Sequence, residues 1–137
     1  MLKYTSDWIA GQILLAMRCI GVDIIEIDRI REAIERWGER FLKRIFTGAE
    51  LNVCHGNPGR LAARFAGKEA VMKALGTGAR GISWREIEIT AEPSGKPLVN
   101  LYGKAQDKAA DLGLDELAIS LSDSKDYAIA FVIGDTG

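Results

Sequence analysis

Arg64-Phe65-Ala66-Gly67-Lys68-Glu69-Ala70-Val71-Met72-Lys73 is the stretch around which the rest of the chain is arranged. It reads as one amphipathic helix, opened near Pro58 and stopped by Gly76. Phe65, Glu69 and Met72/Lys73 stand one turn apart and share an edge. An acid and two lysines on a short, alanine-rich helix have the chemistry to hold a metal and a phosphate together. The plain alternative is a helix salt bridge from Glu69 to Lys73 at i,i+4.

Working upstream, His55-Gly56-Asn57-Pro58-Gly59 is a turn, and His55 is read as a helix-end histidine. Thr47-Gly48-Ala49-Glu50 has the spacing of a capping box and starts a short helix. Asp28–Phe46 reads as a helix with Asp28 as its N-cap, and Gly38 is a point where it kinks or divides. Its buried stripe is Ile30, Ile34, Trp37, Phe41 and Ile45. Its other side mixes arginines and lysines with acids, either a solvated face or a docking surface for an acidic partner. Ile20–Ile27 is dense in β-branched residues and predicts a buried strand. Asp23 is the anomaly there, because a carboxylate on a central strand must be paired, hydrogen-bonded or bound to metal.

Working downstream, Gly76–Gly81 is a glycine-rich exit without Walker-A spacing, best read as a C-cap and loop. Trp84–Ala91 and Leu98–Leu101 read as strands around a hairpin turn at 92–97. Gly103–Asp111 is a helix, and Glu116–Ser122 and Tyr127–Ile133 are strands around Asp123-Ser124-Lys125-Asp126. The order β-α-α-α-β-β-α-β-β describes an α+β single domain, an antiparallel sheet with helices packed on it.

Bulk properties narrow the functional class. The 137 residues suit one domain, and 47% hydrophobic with 27% charged describes an ordinary globule. Eighteen basic against nineteen acidic residues give a net charge of −1, which argues against nucleic acid as a partner. Cys19 and Cys54 form neither a disulfide framework nor a Cys-x-x-Cys metal pattern, so a cytoplasmic location is expected. Residues 1–18 are set apart as an N-terminal appendage to a domain spanning 19–137. The apolar run Trp8–Met17 is shorter than the ~20 residues a membrane span needs, so no membrane is expected. No Ala-x-Ala-like cleavage site follows it. It is read as a helix packed on the domain or a neighbouring subunit, with Met17 as an alternative start.

Asp23 and Glu69 are the carboxylates least explained by exposure. Two carboxylates from separate elements, completed by waters and a phosphate oxygen, are how Mg²⁺ is usually held. Lys68, Lys73, Lys96, Arg44 and Arg64 supply charge for a phosphorylated ligand.

Gly21-Val22-Asp23-Ile24-Ile25-Glu26-Ile27-Asp28-Arg29-Ile30, Arg40-Phe41-Leu42-Lys43-Arg44-Ile45-Phe46-Thr47, Arg64–Ala70, Gly95-Lys96-Pro97 and Ser120-Leu121-Ser122 occur in that order. Together they resemble the holo-[acyl-carrier-protein] synthases, the small bacterial type of 4′-phosphopantetheinyl transferase. The resemblance covers nearly all of residues 20–134. It implies transfer of the phosphopantetheine arm of coenzyme A to a serine of an acyl carrier protein, with adenosine 3′,5′-bisphosphate released. By the same resemblance Asp23 and Glu69 bind Mg²⁺, and Asp23, Glu69 and Lys73 are the catalytic residues. Coenzyme A contacts fall on Arg44, Arg64, Lys68, Lys73, Gly76, Lys96, Pro97 and Asp123. Arg29 is the docking arginine for the acidic carrier, with Arg36 and Arg40 beside it. Glu69 or a metal-bound water takes the serine proton. Larger superfamily members carry a third carboxylate where this chain has Ile25, so a water replaces it. The family's homotrimer, with sites between subunits, is also implied, as is a place in fatty acid biosynthesis or other lipid metabolism. One departure stands out: Asp123 occupies a position where the family usually has His. It is read as a tolerated change, an extra metal ligand or a mark of weakened catalysis.

Overall fold

A strand that runs straight into a helix opens the fold. The computed structural model describes residues 18–76 and 80–136. β1 (Arg18–Glu26) leads into α1 (Ile27–Trp37), then α2 (Glu39–Ile45), α3 (Gly48–Cys54) and α4 (Pro58–Leu75). A 3₁₀ turn (Trp84–Glu86), β2 (Ile87–Ala91), β3 (Pro97–Leu101), α5 (Gly103–Asp111), β4 (Glu116–Asp123) and β5 (Tyr127–Asp135) follow. The expected α+β order holds. β1 begins at Arg18, one residue inside the segment set apart as an appendage. The readings of residues 1–17 lie outside the described residues.

β5 is the centre of a three-stranded antiparallel sheet, with β1 and β4 on either side; β2 and β3 form a separate hairpin. Ile25 pairs with Ala128, Asp23 with Ala130, and Gly21 with Val132. These residues lie on the face that α4 covers, and Ala128, Ala130 and Val132 are buried beneath it. Small residues let the helix come close. A Cβ added to Gly21 would fall on the Ala70 carbonyl oxygen and within 2.9 Å of the Ala74 nitrogen. One added to Gly67 would strike the Ile89 side chain and lie 3.2 Å from Ile119 Cδ1.

Four local expectations need correction. α4 is not an ordinary amphipathic helix: from Leu61 to Leu75 only Phe65, Glu69 and Lys73 are not buried. The sheet covers one side, and α1, α3 and the β2 strand cover others, which its alanines and glycines allow. The exposed stripe is the predicted edge, with Met72 turned inward. α1 is capped at Glu26 rather than Asp28, with no side-chain cap, because the Ile27 N–H donates to the Asp126 carbonyl and carries the strand directly into the helix. Trp37 leaves the predicted buried stripe and is 52% exposed, since Gly38 at φ 55° ends α1 immediately after it. Trp84–Glu86 is a 3₁₀ turn rather than strand, and Ser83 and Glu86 form its capping box.

Candidate active site

Gly21 brings β1 onto the α4 backbone, and the site follows from that approach. Two residues on, Asp23 leaves the same strand face beside the exposed edge of α4. Lys73 Nζ donates to Asp23 Oδ1 at 2.9 Å and to the Val22 carbonyl at 3.0 Å. The ion pair of Lys73 is thus with Asp23, across two elements, and not with Glu69 along its own helix. The hydrogen bond it donates to Asp23 holds the Lys73 ammonium's pKa above the usual lysine value.

Glu69 lies one turn before Lys73 and shares a cleft of about 350 Å³ with Asp23, Arg29, Ile30, Phe41 and Phe65. Burial pushes its carboxyl pKa above the ordinary range, and the Asp23 charge pushes it the same way. Lys73 and Arg29 oppose both. Two carboxylates on one cleft, one of them made costlier to ionise by the other's charge, with room between helix and strand, fit a divalent cation, which offsets that repulsion. Among the described residues no third His, Cys, Asp or Glu joins them, so a bound cation would complete its shell with water or ligand oxygens. Phe41 and Phe65 also line an adjoining cleft of about 510 Å³ with Trp37, Arg40, Arg44 and Trp84. The Phe65 and Trp84 rings stack with centroids 4.8 Å apart.

The remaining predicted residues divide. Gly76 caps α4 in the left-handed region at φ 76°, at the Lys73 end. Arg44 and Arg40 border the second cleft, Arg29 the first, and the Arg36 guanidinium lies 5.4 Å from the Trp37 ring centroid. Arg64 is buried and donates Nε to the Ile89 carbonyl at 3.1 Å. Lys68 is a correction. It is wholly buried, ion-paired with buried Glu50 at 2.7 Å, and is therefore not placed to meet a diphosphate. Its desolvation lowers its pKa against the pull of Glu50.

Lys96 and Pro97 lie away from the acidic pair. Lys68 reaches Ile87 and Arg64 reaches Ile89, so β2 runs antiparallel to α4. Ala91, and with it the Lys96 turn, points toward the N-terminus of α4. Asp123 is at that end too, its Oδ2 2.7 Å from where a Cβ on Gly59 would stand. Gly59 and Glu69 are ten residues apart, about 15 Å of helix. Within one protomer Asp123 is not a third ligand beside Asp23 and Glu69.

The sequence reading missed Glu50 as a functional neighbour because its capping-box role already accounted for it. That role is real: Thr47 Oγ1 accepts from the Glu50 N–H, and Glu50 Oε1 accepts from the Thr47 N–H. It also missed the meaning of Gly21, although a glycine inside a β-branched strand signals a close backbone approach.

Comparison with known proteins places the chain in a family. Residues 19–132 match the sequence model of the 4′-phosphopantetheinyl transferase superfamily. A holo-[acyl-carrier-protein] synthase of Herpetosiphon aurantiacus is 50% identical over 125 residues, covering 86% of this chain and 98% of the relative. One from Dehalococcoides mccartyi is 56% identical over 113 residues, covering 82% and 94%. The crystal structure of the Helicobacter pylori synthase in complex with coenzyme A superposes with a TM-score of 0.77 at 33% identity, covering 84% of this chain and 98% of that one. The Neisseria meningitidis synthase does so with a TM-score of 0.75 at 40% identity, covering 85% and 96%. The chain belongs to the holo-[acyl-carrier-protein] synthases, enzymes of the 4′-phosphopantetheinyl transferase superfamily.

Proposed function

We propose that this protein transfers the 4′-phosphopantetheine arm of coenzyme A to a serine hydroxyl of an apo acyl carrier protein, in a magnesium-dependent reaction that releases adenosine 3′,5′-bisphosphate. The observation that carries the reading is the facing of Asp23 and Glu69 across one cleft, with Lys73 bonded to Asp23. Asp23 and Glu69 would hold the Mg²⁺, which supplies charge withdrawal from the diphosphate when bound. The serine oxygen forms a bond to the β-phosphorus as the bond to the bridging oxygen breaks, and adenosine bisphosphate leaves with that oxygen. Glu69, or a water, takes the serine proton. Lys73 fixes the Asp23 carboxylate and lends positive charge at the mouth of the site. The stacked Phe65 and Trp84 rings form an apolar wall beside it.

Coenzyme A contacts are assigned to Arg44, Arg64, Lys73, Gly76, Lys96, Pro97 and Asp123, with Lys68 withdrawn. Lys73 and Gly76 lie at one end of α4 and Lys96, Pro97 and Asp123 toward the other in one protomer, which supports a site closed by a second copy. The outer sheet face supplies a surface for that copy. Ile20 opposes Ile133, Val22 opposes Phe131, and Ile24 opposes Ile129. All six are exposed large hydrophobics, far more contiguous apolar surface than a lone globule needs. A homotrimer is the proposed assembly. Arg29 and Arg40 each line one of the two clefts, Arg36 lies against Trp37, and all three are assigned to the acidic carrier, whose approach they would speed. Both Cys19 and Cys54 are free thiols, which supports a cytoplasmic location. Among the described residues no helix is long and apolar enough to cross a membrane.

The deciding assay incubates the protein with apo carrier protein, coenzyme A and Mg²⁺ and weighs the carrier. A gain equal to the arm is expected, and Asp23→Ala or Glu69→Ala should abolish it without unfolding the chain. A second reading, a weakened module that only binds coenzyme A and carrier, is favoured by the carboxylate at Asp123. Coenzyme A binding with no mass gain at any metal concentration would select it.

A further inference from the structure

Lys68 is the residue immediately before Glu69, yet it points into the protein. Its ammonium donates to three acceptors on three elements: Glu50 Oε1 on α3 at 2.7 Å, the Trp84 carbonyl at 3.0 Å, and the Ile87 carbonyl on β2. Glu50 is as fully engaged. Its Oε1 also accepts from the Thr47 N–H at 2.9 Å, and its Oε2 accepts from the Ile89 N–H at 2.8 Å. Arg64, one turn earlier on the same side of α4, donates to the Ile89 carbonyl. Among the described residues no buried side-chain nitrogen or oxygen lacks a partner.

A buried ion pair is a poor source of stability, because removing two charges from water costs several kcal/mol per ion and a well-packed apolar pair usually serves as well. Directional bonds do something an apolar pair does not. Two cations at i and i+4 reach two successive points of β2, so α4 neither turns about its axis nor slides without breaking charge-assisted bonds. Rotation matters at the cleft. Turning the helix by about 20° moves a carboxylate roughly 6 Å from the axis by about 2 Å. The same lock reaches the aromatic wall, since the Trp84 carbonyl holds Lys68 while its ring stacks on Phe65.

We infer that the Lys68–Glu50 pair is a positioning device, fixing the rotation of α4 so that Glu69 faces Asp23 and Phe65 faces the cleft. The inference rests on the metal reading given above. The test removes both charges in Lys68→Met/Glu50→Gln and reads three quantities: the Mn²⁺ dissociation constant by direct titration, kcat, and KM for coenzyme A. Mn²⁺ affinity and kcat should each fall roughly tenfold, the usual cost of losing a residue that orients a metal ligand, with KM for coenzyme A unchanged. Glu50→Gln alone covers the event that the double variant does not fold. It removes no atom, but its single amide oxygen cannot accept from both Ile89 and Lys68, so one anchor is released and a smaller loss of both quantities is expected. Wild-type Mn²⁺ affinity and kcat in the folded variants overturn the inference, as does a rise in KM for coenzyme A alone. Wild-type protein that binds no Mn²⁺ at millimolar concentration overturns instead the metal reading beneath it.

Discussion

At Glu69 two unfavourable effects meet in one carboxyl. Burial and the Asp23 charge raise its pKa in the folded chain. Its contribution to stability is therefore full below the ordinary carboxylate range and is lost as pH rises through the raised value. Glu69→Gln should raise the melting temperature of metal-free protein at neutral pH by a few degrees, with the gain shrinking toward a pH of about 4. It should also lose the stabilisation that Mn²⁺ confers on the wild type. A gain of equal size at both pH values in a melting series would refute the raised pKa. Gly21→Ala is the geometric counterpart. Its methyl would meet the Ala70 carbonyl, so a cost of about 1–3 kcal/mol is expected in urea titration. Because the displaced strand carries Asp23, Mn²⁺ affinity should drop roughly tenfold as well. Gly67→Ala, crowded by the flexible end of Ile89, should destabilise without that loss. That Asp23 and Glu69 stand apart from the other acids was legible in the sequence, since an acid in a β-branched run and an acid among alanines are both costly to explain by exposure, and the fold sets them on one cleft. Lys68 was misread for a physical reason: charge on a motif residue says nothing of which way it points.

Elements were easier to read than their environments. The division at Gly38, the capping box at Thr47 and the glycine stop at Gly76 all follow from local backbone chemistry and appear where local chemistry puts them. Burial of α4 depends on what comes from distant parts of the chain. Its alanines are compatible with one covered side or several, and only the assembled sheet, α1, α3 and β2 decide. α1 offers an element-scale prediction. Arg29 shares the cleft with Glu69 and tempers its pKa, whereas Arg36 lies over Trp37 outside it. Arg36→Glu should raise KM for the carrier protein, more at low salt than at high, and leave the Mg²⁺ requirement alone. Arg29→Glu should change both. Steady-state kinetics with carrier and Mg²⁺ varied separately distinguishes them, and identical behaviour of the two variants would refute the division.

The whole molecule presents an apolar outer sheet face. Phe131 stands at its centre, opposite Val22 and Ser120. Phe131→Arg should yield monomers in sedimentation and lose arm transfer, while direct Mn²⁺ titration of Asp23 and Glu69 stays near wild type. A fully active monomer would show that one protomer closes its own site. The proposed assembly was not legible from periodicity: the run Ile20–Ile27 reads as a buried strand, and one chain covers only one of its faces.

β1 therefore spells two messages in alternate letters. Gly21, Asp23 and Ile25 address α4; Ile20, Val22 and Ile24 address the outside. A slip of one residue against β5 would exchange the two sets. Val22 would then be driven into an α4 backbone that has no room even for a methyl at Gly21, and Asp23 would turn out among apolar neighbours. A misthreaded strand is rejected twice, by crowding within and by charge without. The residue proposed for metal binding thereby also serves as a proofreading mark for strand pairing.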